Sequence, residues 1–296
     1  MQKRKEIHDS GETIGITTGI FELNKLIYGW EKQLYLIAAR PSVGKTSLVL
    51  HHILKAAQVG YSVRFYSLEM SHNAIHRRLT FAVCEADIDL MKQGKGTDED
   101  LYNFKISQNN INKLNISIID RASITIDELC RDAKQQKKNK NLDILFIDHL
   151  QILRGSEKKQ SEIDRLTEIG IKLHSLQKEL EIPIIALHQL SRDIEGREVR
   201  NKKPILKDLR GCGTLEENAD VIMFIYRPAY YEVLFDSKTN ESYENYGEII
   251  IRKNRDGRLG TARFNHNYSM TQIYDYGYKA YVKPINNEID EEKKPF

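Results

Sequence analysis

The chain has 296 residues, enough for one large α/β domain or two small ones and for a substantial buried core. Its 45 basic and 42 acidic side chains leave a formal charge of +3, so any grip on nucleic acid has to come from local patches rather than a global field. Cys84, Cys130 and Cys212 lie far apart, which argues against a disulfide framework or zinc module, and no apolar run has the length of a membrane span or a signal core; a soluble cytoplasmic protein is expected.

Residues 1–30 read as a lead-in, polar and then amphipathic, with Phe21, Leu23, Leu26 and Ile27 placed to pack on the core. The apolar run over 34–38 predicts a buried strand, and the pattern from Ser47 to Ala57, closed by Gly60, predicts a helix. Between them stands Ala39-Arg40-Pro41-Ser42-Val43-Gly44-Lys45-Thr46. Strand, tight loop, Gly-Lys-Thr and helix form the context of a phosphate-binding P-loop. Loop amides and the helix N-terminus then converge on one anion. Lys45 reaches the outer phosphates, and the Thr46 hydroxyl ligates Mg²⁺. Residues 39–47, from Ala39 to Ser47, are therefore the candidate nucleotide site. The strict pattern has Gly at the first position; here it is Ala39, with Pro41 fixing a φ inside the loop.

A second strand is expected over 62–68, ending at Glu69, with a helix over 72–84 and a charged helical excursion over 87–112. A third strand over 115–120 precedes a helix that starts at Thr125 and runs through Lys138. The strongest buried-strand signal is 142–148, ending at Asp148. A helix over 161–180 and a strand over 183–189 follow, then strands over 221–226 and 248–253. Asn254-Arg255-Asp256-Gly257 reads as a turn and 261–265 as its returning strand. The charged tail over 288–296 is expected to be disordered. Strands alternating with helices give an α/β fold, a mostly parallel sheet with helices on both faces and a C-terminal β-hairpin. The expected division is a lead-in over 1–30, one ATPase domain over 31–285 and a tail over 286–296.

Asp148, at the carboxyl end of an apolar strand, is the second Mg²⁺ ligand in such a site, usually through water. The next residue is His149 rather than Glu, so the carboxylate that orients the attacking water must lie elsewhere. Glu69 is the candidate, because adjacent parallel strands end on the same face of a sheet; it also suits the first turn of a helix. This layout favours the RecA-like branch of P-loop NTPases. Gln189 ends a strand beside these and can bond the γ-phosphate and shift when it leaves. Asp208-Leu209-Arg210-Gly211-Cys212-Gly213 sets one arginine in a loop of small residues, which suits a sequence-blind phosphate contact or an ordinary surface loop.

Together these segments resemble the RecA-like motor domain of replicative DnaB-type hexameric helicases. Ala39 to Thr46 resembles that family's own P-loop variant, and Phe65-Tyr66-Ser67-Leu68-Glu69-Met70 its catalytic-glutamate motif. Ile147-Asp148-His149-Leu150-Gln151 resembles its Walker B strand, with His149 where Tyr is usual. Ile185-Ala186-Leu187-His188-Gln189-Leu190-Ser191-Arg192 resembles its sensor motif, with His188 where Ser is usual. Residues 208–213 resemble its Asp-Leu-Arg-Glu-Ser-Gly DNA-binding loop, altered at Gly211 and Cys212. Residues 250–257 resemble its Lys-x-Arg-Asn-Gly hairpin, whose arginine enters the neighbouring subunit's ATP site.

The resemblance implies a ring of subunits, six in the family, that hydrolyses ATP with Mg²⁺, moves 5′ to 3′ on single-stranded DNA and separates the duplex. Its catalytic residues would be Lys45, Glu69 and Gln189, with Arg255 and Lys253 supplied from next door. Arg210, with Gly211 and Gly213, would hold DNA. No stretch of this sequence resembles the family's helical collar, which engages primase, so the chain is expected to be either a truncated motor domain or a collarless relative; primase and loader proteins are the further partners implied. The rival readings are a DNA-stimulated ATPase that assembles without unwinding, as recombinase relatives do, and a nucleotide-switched scaffold. Glu69, Gln189 and Arg255 together argue against the second.

Overall fold

A strand that is apolar at every position has to be covered on both faces. β1 (Leu34–Ala39) is such a strand, buried along its whole length. Tyr35, Ile37 and Ala39 belong to one core, and Leu34, Leu36 and Ala38 to the other. β4 (Ile144–Asp148) divides in the same way: Ile144 and Phe146 face the first core, Leu145 and Ile147 the second. The computed structural model describes residues 13–86, 90–91, 93–157, 160–198, 202–209 and 213–277.

Among these residues the sheet has nine strands, in the order β3-β2-β4-β5-β1-β6-β7-β8-β9. β2 (Val63–Ser67), β3 (Ile116–Ile119), β5 (Ile184–Gln189) and β6 (Val221–Tyr226) are joined with β1 and β4 in parallel. β7 (Tyr246–Asn254), β8 (Gly260–His266) and β9 (Ile273–Asp275) continue the sheet antiparallel. The mostly parallel sheet and its C-terminal hairpin are as expected. β9 is an addition, too short to leave a signal of its own.

Helices α1 (Phe21–Ile27), α2 (Lys45–Gln58), α3 (His72–Val83) and α4 (Asp98–Asn112) cover the first core through Leu23, Leu48, Ile75 and Ile111. Helices α5 (Ile126–Lys140), α6 (Glu162–Leu180) and α7 (Gly213–Asn218) cover the second through Leu129, Ile169 and Leu215. Side-chain caps at Ser71, Thr97, Thr125 and Ser161 set the starts of α3, α4, α5 and α6, each contributing about 1 kcal/mol. Thr97 and Asp100 form a capping box that starts α4 at Asp98; of the excursion expected from 87, residues 90–91 are also helical, and 87–89 lie outside the described residues. Thr125 and Glu128 do the same for α5. Among the described residues no helix is long and apolar enough to cross a membrane, and Cys84 and Cys130 are free. The expected tail over 288–296 lies outside the described residues.

The lead-in is continuous with the first core, to which Ile16, Ile20, Leu23, Ile27 and Trp30 belong. Two neighbouring histidines of α2 latch it down. His52 Nδ1 lies 2.6 Å from the Thr18 carbonyl and His51 Nε2 lies 3.0 Å from that of Gly19, so each ring nitrogen donates. Burial pushes both below the ordinary histidine value, to about 3 for His52 and about 4 for His51, and the rings are neutral.

Candidate active site

Parallel strands deliver their carboxyl ends to one edge, and four of the predicted site residues sit there for that reason. Ala39 ends β1, Glu69 follows β2, Asp148 ends β4 and Gln189 ends β5. Register fixes their heights: Ala39 pairs with Gln189, and Ser67, two residues before Glu69, pairs with Asp148.

The turn from β1 into α2 is left-handed at Ser42 (φ 62°) and Gly44 (φ 104°). Gly44 is required twice over. Its φ disfavours any side chain, and an added Cβ would fall 1.9 Å from Met270 Sδ. No side chain caps α2, and its first turn holds no acidic residue, so its amides and positive dipole end are left for an anion. Lys45 lies 4.0 Å from Asp148 Oδ1. Burial holds its pKa below the ordinary lysine value, against the pull of Asp148 and Glu69.

Thr46 Oγ1 donates to Asp148 Oδ2 at 2.6 Å, while Asp148 Oδ1 is buried with no hydrogen-bond partner. A hydroxyl and an orphaned carboxylate oxygen side by side are the hard oxygen donors that Mg²⁺ takes alongside water and phosphate. The predicted metal pair therefore fits the ion. Among the described residues there is no cluster of three or more His, Cys, Asp or Glu that could hold a metal.

Glu69 is largely exposed, its carboxylate 3.7 Å from His149 Nε2. His149 is buried; burial first, then the charge on Lys45, lower its pKa. Its Nδ1 meets Gln151 Oε1 at 2.9 Å. The Gln151 amide nitrogen donates to the Gln189 carbonyl at 2.9 Å and meets His188 Nε2 at 3.2 Å. One amide thus joins the ends of β4 and β5.

Other predicted residues are placed differently. The Arg40 guanidinium points away from the loop, with Nε 2.9 Å from Glu195 Oε1 and Nη1 2.7 Å from the Leu190 carbonyl. Only its backbone remains for the phosphate cradle. Arg210 and Gly211 lie outside the described residues, and Gly213 opens α7. The base of that loop is firmly held: Asp208 is buried, pairs with Arg197 and accepts from Ile205 N at 2.9 Å, while its carbonyl accepts from Ser191 N at 3.3 Å. Arg255, just past β7, sits 3.0 Å from Asp220 Oδ1 and donates to the Glu217 carbonyl. Lys253 Nζ donates to the carbonyls of Glu216 and Glu217. Both cations cap the negative end of α7, the helix that follows the predicted DNA loop.

Two contributors escaped sequence reasoning. Arg227, after β6, approaches the Val43 carbonyl at 3.4 Å, and its buried Nε has no partner. A charge directly after a run as apolar as 221–226 was the available signal. Met270, on the 267–272 loop before β9, covers Gly44, and nothing in its own neighbourhood announces that contact.

The DnaB-like helicase C terminal domain family matches residues 15–275. The replicative DNA helicase DnaB of Rickettsia typhi is 35% identical over 280 residues, covering 86% of this chain and 56% of that protein. The chain thus spans a little over half the length of such curated relatives. Two solved structures superpose with TM-scores of 0.83 at 32% identity over 93% of the chain. One is described as an ATPase domain (96% of it covered) and the other as a DnaB-like replicative helicase and its interactions with primase (65% covered).

Proposed function

Because the chain belongs to the DnaB-like helicase C-terminal domain family, we propose that it is the ATP-hydrolysing motor of a replicative helicase, moving 5′ to 3′ on single-stranded DNA as a hexameric ring and opening duplex ahead of it. The observation that carries this reading is the convergence at one sheet edge. Thr46 bonds Asp148 at 2.6 Å, Lys45 lies 4.0 Å from the same carboxylate, and Glu69 and Gln189 end the flanking strands.

In this reading the P-loop amides and Lys45 bind the triphosphate, and Thr46 and Asp148 hold Mg²⁺, which supplies charge neutralisation when bound. Glu69 faces the attacking water and Gln189 the γ-phosphate. Arg255 and Lys253 belong to the neighbour's site, which a heterologous ring interface brings alongside. Arg210 grips a DNA phosphate. Primase and loader proteins are the further partners proposed, and the solved relative described with its primase interactions lends that support.

The test sets ATPase and strand-displacement assays side by side on the chain with forked DNA. Strand separation that depends on ATP, is stimulated by single strands and is abolished in Lys45→Ala supports the motor. DNA-stimulated hydrolysis with no displacement would instead favour an ATPase that assembles on DNA without unwinding it.

A further inference from the structure

His149 and His188, two of the positions where this chain departs from the motifs it resembles, stand at opposite ends of one amide. The Gln189 carbonyl can only accept, so the Gln151 group facing it at 2.9 Å is the NH₂. Its second hydrogen points at His188 Nε2, 3.2 Å away. The Gln151 oxygen is then the atom facing His149 Nδ1 at 2.9 Å, and it can only accept. Nδ1 of His149 therefore carries a proton, and in the neutral ring it is the Nε2 lone pair that points outward toward Glu69.

His149 Nε2 and Glu69 Oε2 are 3.7 Å apart, longer than the roughly 2.7–3.2 Å of a hydrogen bond. Two acceptors at that separation do not bond each other. A water about 2.8 Å from both can give one O–H to each, with its oxygen lone pair turned outward. Charge alone would have made the pair a salt bridge. The tautomer set by Gln151 makes it a cradle.

We propose that His149 is a catalytic residue of ATP hydrolysis, the second acceptor that orients the attacking water beside Glu69. The inference rests on reading Glu69 as the residue that faces that water. In the step, the water oxygen bonds the γ-phosphorus while the bond from that phosphorus to the β–γ bridging oxygen breaks, and ADP leaves with the electron pair. Glu69 receives one proton of the water and passes it on to phosphate or solvent. His149 takes no proton; it holds the other O–H and so fixes where the lone pair points. Because the same Gln151 amide bonds the Gln189 carbonyl, the cradle is tied to the strand end proposed to sense the γ-phosphate.

The test compares His149→Phe, His149→Gln, Gln151→Leu, Glu69→Gln and the Glu69→Gln/His149→Phe pair in the full chain. The readouts are kcat and KM for ATP, together with affinity for a fluorescent non-hydrolysable ATP analogue. His149→Phe should lower kcat about 10- to 100-fold, less than the roughly 10²–10⁴-fold expected of Glu69→Gln. Analogue affinity should stay within about two-fold. His149→Gln, which offers an acceptor near the Nε2 position, should recover part of the loss. Gln151→Leu, which frees the tautomer with His149 intact, should reproduce the loss. The double variant should be no slower than Glu69→Gln, since both groups act on one water. Unchanged kcat in both His149→Phe and Gln151→Leu, with Glu69→Gln inactive, overturns the role of His149 and leaves the motor reading standing. Equal losses in kcat and analogue affinity overturn it as well, by marking His149 as a folding element of the site. An active Glu69→Gln would sink the reading of Glu69 on which the inference rests.

Discussion

Replacing Arg255 by alanine separates the contacts this side chain makes within its own subunit from the role proposed for it in a neighbour's site. In the folded subunit its guanidinium meets Asp220 at 3.0 Å and the Glu217 carbonyl, and it remains 44% exposed. Asp220 keeps a second partner, the Leu34 amide at 2.9 Å, and Lys253 still caps α7, so the largely buried carboxylate retains a hydrogen-bond donor. An exposed ion pair is worth about 0.5 kcal/mol and a cation at a helix end about as much again. A loss near 1 kcal/mol from a total of about 5–15 lowers the melting temperature by roughly 2–4 °C. A finger supplied to a neighbour's ATP site is worth about 10³–10⁵ in rate, or about 4–7 kcal/mol. The variant should therefore fold and bind nucleotide yet hydrolyse it hardly at all. Lys45→Ala should be equally inactive. Mixed rings would contain sites with Lys45 intact on one chain and Arg255 on the next, so ATPase activity should partly return on mixing. Activity in Arg255→Ala alone would refute the finger. So would no recovery on mixing once subunit exchange has been demonstrated by mass measurement.

Arg197→Ala leaves the buried Asp208 carboxylate without its cation, a change that costs about 3 kcal/mol; thermal unfolding should shift down by roughly 6–10 °C. Arg210→Ala should weaken single-stranded DNA binding equally for all sequences and flatten the salt dependence by a slope of about 0.7, read from fluorescence anisotropy across a salt series; unchanged affinity and slope would remove Arg210 from the DNA path. Acid should destabilise the fold through His51, His52 and His266, whose folded values are lowered to about 4, 3 and 4. Below the unfolded value of about 6.5 the unfolded chain binds protons that the folded chain refuses, so stability is complete above that pH and falls as pH drops toward 4. At pH 5 the loss is of the order of 2 kcal/mol per histidine, and a melting temperature that does not fall between pH 7.5 and pH 5 would contradict the neutral latch.

Sequence patterns carried the core and the site edge well, because parallel strands buried on both faces leave continuous apolar runs and their carboxyl ends are forced into line. Leu34 to Ala38 and Ile144 to Ile147 needed no tertiary information, and Glu69, Asp148 and Gln189 followed from where such strands stop. What could not be read was direction. Arg40 belongs to the P-loop in sequence, yet its guanidinium serves Glu195 in the loop after β5. Lys253 read as the end of a strand and Arg255 as part of the following turn, while in the fold both rest on α7, whose carbonyls no local pattern assigns to them. His149 and His188 looked like two unrelated departures until Gln151 was seen to bridge their strands. Each such case depends on where a side chain of several rotatable bonds finds its partner, and that choice is made across the sheet.

The short stretch from Leu190 to Arg197 is bolted at both ends. Arg40 and the Ala39 carbonyl hold its start to the base of the P-loop, and Arg197 and Ser191 hold it to Asp208, at the root of the predicted DNA loop. In mechanical terms it is a strut without slack. The strand end at Gln189 thus leads directly into a segment held on one side by Arg40 and on the other by Asp208. For the motor activity proposed above, such a strut would favour stiffness over reach, tying the nucleotide edge of the sheet closely to the root of the predicted DNA loop.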